Sequence, residues 1–546
     1  MRSKLVATAL SAVLGCVVTY GQRSSPVAPD TIFFNGKIVT VDAHFTTHQA
    51  FAIKEDRFVA VGDNKSVRSL ASAATRFVDL HGRTVIPGLG DNHDHVYDSA
   101  RVLLRGVSLQ GVASVSEALD RIRQAVSRAS VGQTVLTSAL RLPRAEQDAL
   151  TIRQLDQVSN TVPIVVLRDR FSGAVLNIAA LRLAGITRDT TSFAGVPVPK
   201  DANGDLTGVN PPAGRSTASR EAGVALLEKV LPRMTNEEEE DFLIRAIHER
   251  NALGLTSIRD LNVSQRAMGA YFRLWRKGLL TVRVSMGLLV RDAAHVEEAA
   301  RAWGVGSGFG DAWLRFDSIS EIPTPVLEDV RQFTAAALAA NRYGWRLSPH
   351  IEGSDTLKTA LDAYEAADRE NSIRDKRWVV EHVPFATPGD LDRIAKLGVV
   401  VSAQYPGYDG LAPKDKASPI LLPMREFLDR HVVVSAGSDF LAGPNSSDNP
   451  FIPIYFYVTR KTRSGDVIGP EQKISREEAL RISTINYAYT TFEEKLKGSI
   501  EPGKLADFLI LSDDILSVPE EKIPSLYPLA TYVGGHKVFQ TGVVTF

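Results

Sequence analysis

Between residues 310 and 440 this chain alternates short apolar strand-like runs with amphipathic helix-like segments, and that alternation constrains its fold more than any other feature. Leu314 to Ile322 reads as a strand. Thr324 can cap and Pro325 start a helix running to about Asn341, which Gly344 stops. Trp345 to His350 is the next strand and Asp355 to Glu370 a helix. Arg377 to His382 is a strand, Pro388 to Leu397 a helix, Val399 to Ala403 a strand, Met424 to Arg430 a helix and Val432 to Ala436 a strand. Upstream, Thr235 and Glu238 form a capping box for a helix to about Leu253. Gly254 ends that helix, and Thr256 to Ile258 follows as a strand. Repeated β–α units imply a parallel sheet, and this many imply an α/β fold of the (β/α)8 TIM-like barrel type.

The two ends read differently. Thr31 to Phe34, Lys37 to Val41, Ala50 to Lys54, Phe58 to Val61 and Arg76 to Leu80 are short β segments separated by Gly, Asn and Asp turn residues. Phe508 to Leu511, Leu529 to Val533 and Lys537 to Phe539 repeat the pattern at the other end. Both sets predict one small β-sandwich domain built from the two termini, residues 22–88 with 490–546, around a barrel with insertions at 89–489.

Before that lies an address. Arg2 and Lys4 precede an apolar run, Leu5 to Val18, shorter than the ~20 residues that cross a bilayer and of the length of a signal-peptide core. Thr19 and Gly21 suit cleavage after Gly21. The expectation is a signal peptide over 1–21 and an exported chain, periplasmic or secreted, with no stable membrane span once mature. An uncleaved N-terminal anchor and lipidation of Cys16, which follows Val13-Leu14-Gly15, are the alternatives. Cys16 is the only cysteine, so no intrachain disulfide forms. Lys+Arg and Asp+Glu are 63 each, a formal net charge of zero, and no basic excess is left to neutralise the phosphates of a nucleic acid. The partner expected is a small-molecule substrate.

The chemistry sits at predicted strand ends. In His93-Asp94-His95, alternate residues point the same way, so both imidazoles can reach one point and suit a divalent ion. On spacing alone the pair is equally a surface loop. His350, His382 and Asp439 each fall at or just after the C-terminal end of another predicted strand, the face where barrel active sites are built.

Val-Ile-Pro-Gly-Leu-Gly-Asp-Asn-His-Asp-His (85–95) resembles the opening signature of the metal-dependent amidohydrolase superfamily. Glu381-His382 and Gly437-Ser438-Asp439 resemble its later histidine and aspartate motifs. The segments 177–187, 203–208 and 497–508 are similar to the amidohydrolase family 3 branch. The resemblance implies that His93 and His95 bind a first, more buried metal and that His350 and His382 bind a second where two ions are present. It implies that Asp439 ligates metal and acts as catalytic general base. The implied cofactor is one or two divalent ions, zinc first among them. The implied reaction is hydrolysis of a non-peptide carbon–nitrogen bond of a small amide-type substrate by metal-activated water. The same architecture also serves ester or lactone hydrolysis and deamination, and an inactive metal-binding homologue is the remaining alternative.

Members of the superfamily often bridge two metals with a carboxylated lysine on a middle strand. Here Leu279 to Leu357 contains no lysine, and Glu321, at the end of the Leu314 to Ile322 strand, is the substitute ligand. Asp317 has the same parity and can orient a histidine. The branch often has a histidine near Ser172, absent here. Arg460, after the strand-like run Ile454 to Val458, could hold a substrate carboxylate, and Tyr405 could line the pocket. Glu237 to Glu240 reads as a solvated acidic first turn, and Asp260 as a residue that could face the site.

Overall fold

The computed structural model describes residues 28–542 except 99–105, 110, 139, 141, 143, 169–173, 211–224, 232, 291–292, 323, 405–420, 440–448 and 463–464. The predicted signal peptide, Cys16 and Tyr405 therefore lie outside the described residues. Among those described, no helix is long and apolar enough to cross a membrane.

Eight of the described strands lie side by side in chain order: β1 (Leu89–Asp94), β2 (Leu255–Val263), β3 (Arg283–Leu288), β4 (Leu314–Ile322), β5 (Leu347–Pro349), β6 (Val379–Glu381), β7 (Val400–Gln404) and β8 (Val434–Gly437). β1 to β5 form one parallel sheet and β6 to β8 another. A parallel bridge, His350 to Glu381, joins β5 to β6. On the other side β8 returns to β1, where the Asp439 amide donates to the His93 carbonyl at 2.7 Å. That approach requires glycine at 437, since a Cβ there would stand 2.5 Å from the His93 nitrogen.

Helices follow the strands because their apolar stripes need a partner. Ile258, Val284, Val380, Val401 and Val434 share one buried cluster with the helix residues Leu274, Phe333, Leu361, Ile394 and Phe427. Truncating such a residue, Leu361→Ala for instance, would cost about 2–5 kcal/mol. Local signals explain several boundaries. The capping box of Thr235 and Glu238 opens the helix Asn236–Ala252, and Thr387 with Pro388 opens Pro388–Leu397.

Four expectations change. The helix from Thr324 is two helices, Thr324–Glu328 and Val330–Arg342, because Asp329 caps the second at the Gln332 amide. Ile454 to Val458 is not a strand but part of the helix Phe451–Thr459, since a short apolar run buried on all sides carries no period to separate the two. The strand at Thr256 runs on to Val263. The acidic first turn is only partly solvated: Glu239 and Glu240 are buried and bonded to Arg273, with Tyr97 and Arg266 also on Glu239 and Lys277 on Glu240.

Strands from both ends share a sheet. One six-stranded sheet runs His536–Gln540, Pro528–Val533, Phe508–Leu511, Thr84–Pro87, Lys37–Val39, Thr47–His48. A four-stranded sheet holds Arg57–Gly62, Ala50–Lys54, Thr31–Phe34 and Arg76–Asp79. Phe33 and Phe51 of the second pack on Phe508 of the first, with ring centroids 5.1 and 4.9 Å away. Between β1 and β2 the chain inserts a further four-stranded sheet, Val209–Asn210, Ala174–Leu176, Ile164–Leu167 and Val135–Leu136. There Asn177 accepts from the Ile164 and Ala180 amides and donates to the Ser159 and Val162 carbonyls, which accounts for its place in the 177–187 motif.

Candidate metal centre

The C-terminal ends of five strands converge. His93 lies in β1 and His95 just past it, Glu321 ends β4, His350 and His382 follow β5 and β6, and Asp439 stands two residues beyond β8. Their donor atoms form overlapping sets: an inner and an outer one share Glu321, and a third joins His93, His382 and Asp439. In the inner set the His93 and His95 Nε2 atoms are 3.3 Å apart. Each is 3.5 Å from Asp439 Oδ1, and they lie 3.7 and 3.8 Å from Glu321 Oε2. In the outer set Glu321 Oε1 meets His350 Nδ1 and, at 3.0 Å, His382 Nε2. Glu321 thus turns one oxygen to each of these two sets. His93 is fully buried and His95 nearly so, whereas the Asp439 and His350 side chains are 25 % and 26 % exposed and form the open side.

The backbone is bent to achieve this. His382 has φ 67° and Asp439 φ 50°, left-handed conformations that cost side-chain-bearing residues about 1–3 kcal/mol and concentrate at functional sites. Behind the cluster the remote ring nitrogens are occupied. His93 Nδ1 lies 2.7 Å from Glu381 Oε2, His95 Nδ1 3.3 Å from the Leu261 carbonyl, and His350 Nε2 3.5 Å from Glu352. Such partners leave the facing nitrogen lone pair free.

Charge follows geometry. Burial opposes protonation of His95, but its hydrogen bond to Asp439 and the charges of Asp439 and Glu321 push it up to about 10. His350 goes up to about 10 against the same opposition, chiefly through the Glu321 charge. Burial and then the charge of His350 drive His382 down. Burial would raise Glu321, yet the imidazoles around it, His350 first, hold it well below the usual carboxylate range. Four imidazoles and two ionised carboxylates aimed at two points fit one or two divalent cations.

Sequence reasoning named all six residues of this cluster, and they come together. Arg460 does not join them: its guanidinium is buried and donates to the carbonyls of Leu421, Leu422 and Ile468, so it braces the chain after a helix rather than offering itself to a substrate carboxylate. Asp260 is not among the donor groups of the cluster; it accepts from the Val96 and Tyr97 amides and the Tyr271 hydroxyl. Asp317 orients no histidine directly; it binds Arg259 and Arg346. What sequence reasoning missed is the layer beneath, in which Arg259 joins Asp317 to Glu381. The signal was available in alternate polar residues of the strands, Ser257 and Arg259, Arg315 and Asp317, Arg346 and Ser348, where barrel interiors usually carry branched apolar side chains.

A parallel α/β fold with such a donor set at its strand ends belongs with the metal-dependent hydrolases. A profile of the amidohydrolase family matches residues 76–539, and the chain belongs to that family. It is an enzyme of the hydrolase class acting on carbon–nitrogen bonds other than peptide bonds. It is 27 % identical over 543 residues to the N-substituted formamide deformylase of Arthrobacter pascens, covering 93 % of this chain and 97 % of that one. It is 25 % identical over 553 residues to the protein LONG AFTER FAR-RED 3 of Arabidopsis thaliana, covering 94 % and 92 %. The solved structure of an uncharacterised metal-dependent hydrolase from Pyrococcus horikoshii superposes with a TM-score of 0.71 at 20 % identity, covering 90 % of this chain and 99 % of that one. That likeness in fold implies a TIM-like barrel.

Proposed function

We propose that this enzyme hydrolyses the carbon–nitrogen bond of a small N-formyl or N-acyl amide at a centre of one or two zinc ions. The observation that carries the reading is Glu321, whose two oxygens face two different histidine pairs. In this reading His93, His95, Asp439 and Glu321 hold the inner ion, and Glu321, His350 and His382 the outer one. A bound divalent ion supplies Lewis acidity, polarising a carbonyl oxygen and lowering the pKa of water from 15.7 to about 7. Asp439, ionised and on the open side, accepts the proton of the attacking water and passes it to the nitrogen of the departing amine, as base and then acid. The likeness to a formamide deformylase over nearly the whole of both chains supports a formyl or small acyl group. The apolar N-terminal run supports export to the periplasm or medium. The architecture that goes with this reading is a closed (β/α)8 barrel beside a β-sandwich built from both termini.

The test is metal quantification on purified protein together with a screen of N-substituted formamides, N-acyl amino acids, cyclic amides and esters. Near-stoichiometric zinc with turnover of the formamides or N-acyl compounds is expected. Turnover of esters alone would overturn the amide reading, and protein that binds no divalent ion would remove the centre itself.

A further inference from the structure

Beneath the cluster, inside the ring of strands, runs a chain of alternating charges: Arg346, Asp317, Arg259, Glu381. All four are at most 1 % exposed. Arg259 is its centre. Its Nε donates to Asp317 at 2.5 Å, its Nη1 to Glu381 at 2.6 Å and to the Asn92 carbonyl at 3.2 Å, and its Nη2 to the hydroxyls of Ser318 at 3.0 Å and Ser348 at 2.9 Å. The planar fork of one guanidinium thereby ties β2 to β4, β5, β6 and the backbone of β1, a set of directions that a lysine ammonium cannot reproduce. Glu381 takes Arg259 and Ser348 on Oε1, and its other oxygen faces His93 Nδ1 alone among the described residues.

We infer that Arg259 is a positioning residue for the inner metal: through Glu381 it fixes the ring orientation and tautomer of His93, and so selects Nε2 as the donor. The inference rests on the two-set reading of the centre and adds a residue to it. The geometry supports selectivity. Among the described residues the Glu381 side chain bonds the His93 ring and not the rings of His350 or His382, whereas those two meet Glu321, with Glu352 also on His350 and the His93 ring beside His382. Disturbing Arg259 should therefore weaken the inner ion and spare the outer one.

The experiment is zinc competition against a chromophoric chelator on the full chain, resolving the two binding steps, for wild type, Arg259→Lys, Arg259→Met, Glu381→Gln and Arg259→Met/Glu381→Gln. Histidine-labelled protein reports the His93 tautomer by nitrogen NMR. The expected result is an inner-step affinity lower by about ten- to a hundredfold in the single variants, with the outer step within about twofold. The double variant should lose no more than the worse single one, because both act along one path. The Nδ1–H tautomer of His93 should give way to a mixture. If the arginine variants do not fold, Ser348→Ala, which removes one contact from each partner, should show the same selective loss at smaller size. Equal affinities in folded variants, losses shared by both steps, or an unchanged tautomer would overturn the inference. Failure of the metal centre itself would show separately, as wild-type protein that binds no zinc.

Discussion

Two layers of the strand array, one to four residues apart along the strands they share, hold the same kinds of charge in opposite ways. In the lower layer each carboxylate is matched by a guanidinium: Asp317 has Arg259 and Arg346, and Glu381 has Arg259. In the upper layer the side chains of Glu321 and Asp439 are met, among the described residues, by imidazoles, at up to 3.8 Å. The lower layer is closed and neutral, so it positions. The upper layer has lone pairs left over, so it can bind a cation and move a proton. Strand β4 shows the contrast within one element, with Asp317 locked in the ionic chain and Glu321 presenting both oxygens. What separates these two carboxylates of β4 is the partner supplied, not burial, since Asp317 and Glu321 are both nearly inaccessible.

The comparison breaks most visibly at Asp439. Asp439→Asn should keep the fold and most of the metal while lowering kcat by about 10³-fold or more, read by steady-state kinetics beside metal analysis. Normal activity would remove the general base. Next in size is the lower layer. Asp317→Asn leaves two buried guanidiniums short of a counter-charge and should lower stability by about 3–5 kcal/mol in a denaturant titration. A loss under about 1 kcal/mol would mean that the layer is not held by charge pairing. Glu321→Gln should lower outer-metal occupancy and kcat by about tenfold or more, with the inner ion largely retained. Unchanged metal content and rate would deny Glu321 its bridging place.

Acidity separates the layers more gently. In chelator-treated protein His95 and His350 bind protons more tightly folded than unfolded, so their contribution to stability is complete below about pH 6.5 and is lost as pH rises through about 10. Melting temperature of the stripped enzyme should fall between those values. The zinc-loaded enzyme should not follow it, because the ion requires deprotonated ligands. A stripped enzyme equally stable at pH 6.5 and 9.5 would contradict the imidazole–carboxylate pairing. The smallest effect is expected at Glu352, half in solvent beside His350, where Glu352→Gln should change kcat/KM by no more than about threefold.

The upper layer was legible in the sequence because metal ligands announce themselves by residue type. His93 and His95 share a strand, and His350, His382 and Asp439 stand where strands end. Glu321 emerged once lysine was absent from its strand. The lower layer was less legible, because Arg259, Asp317 and Glu381 look like any charged residues until the strands are set side by side, and their meaning lies in contacts across 58 and 122 positions of chain. The surroundings of Arg460 were not legible either: the run before it was read as a strand and is a helix, and its guanidinium is buried on the carbonyls of Leu421, Leu422 and Ile468. The β-rich ends were read well, down to the bounds of Thr31–Phe34, Ala50–Lys54 and Phe508–Leu511, since alternation and turn residues mark them clearly.

One seam has a consequence for how the chain is made. Thr84–Pro87 leads through a single glycine into β1 and pairs with Phe508–Leu511, so the threshold of the active centre is edged by residues more than four hundred positions away. On the ribosome that strand waits with one edge bare until nearly all of the polypeptide has been synthesised. A product released before residue 508 would carry the histidines yet expose a sticky, unmated ribbon. Such an uncovered edge is open to pairing with other chains until its partner strand arrives.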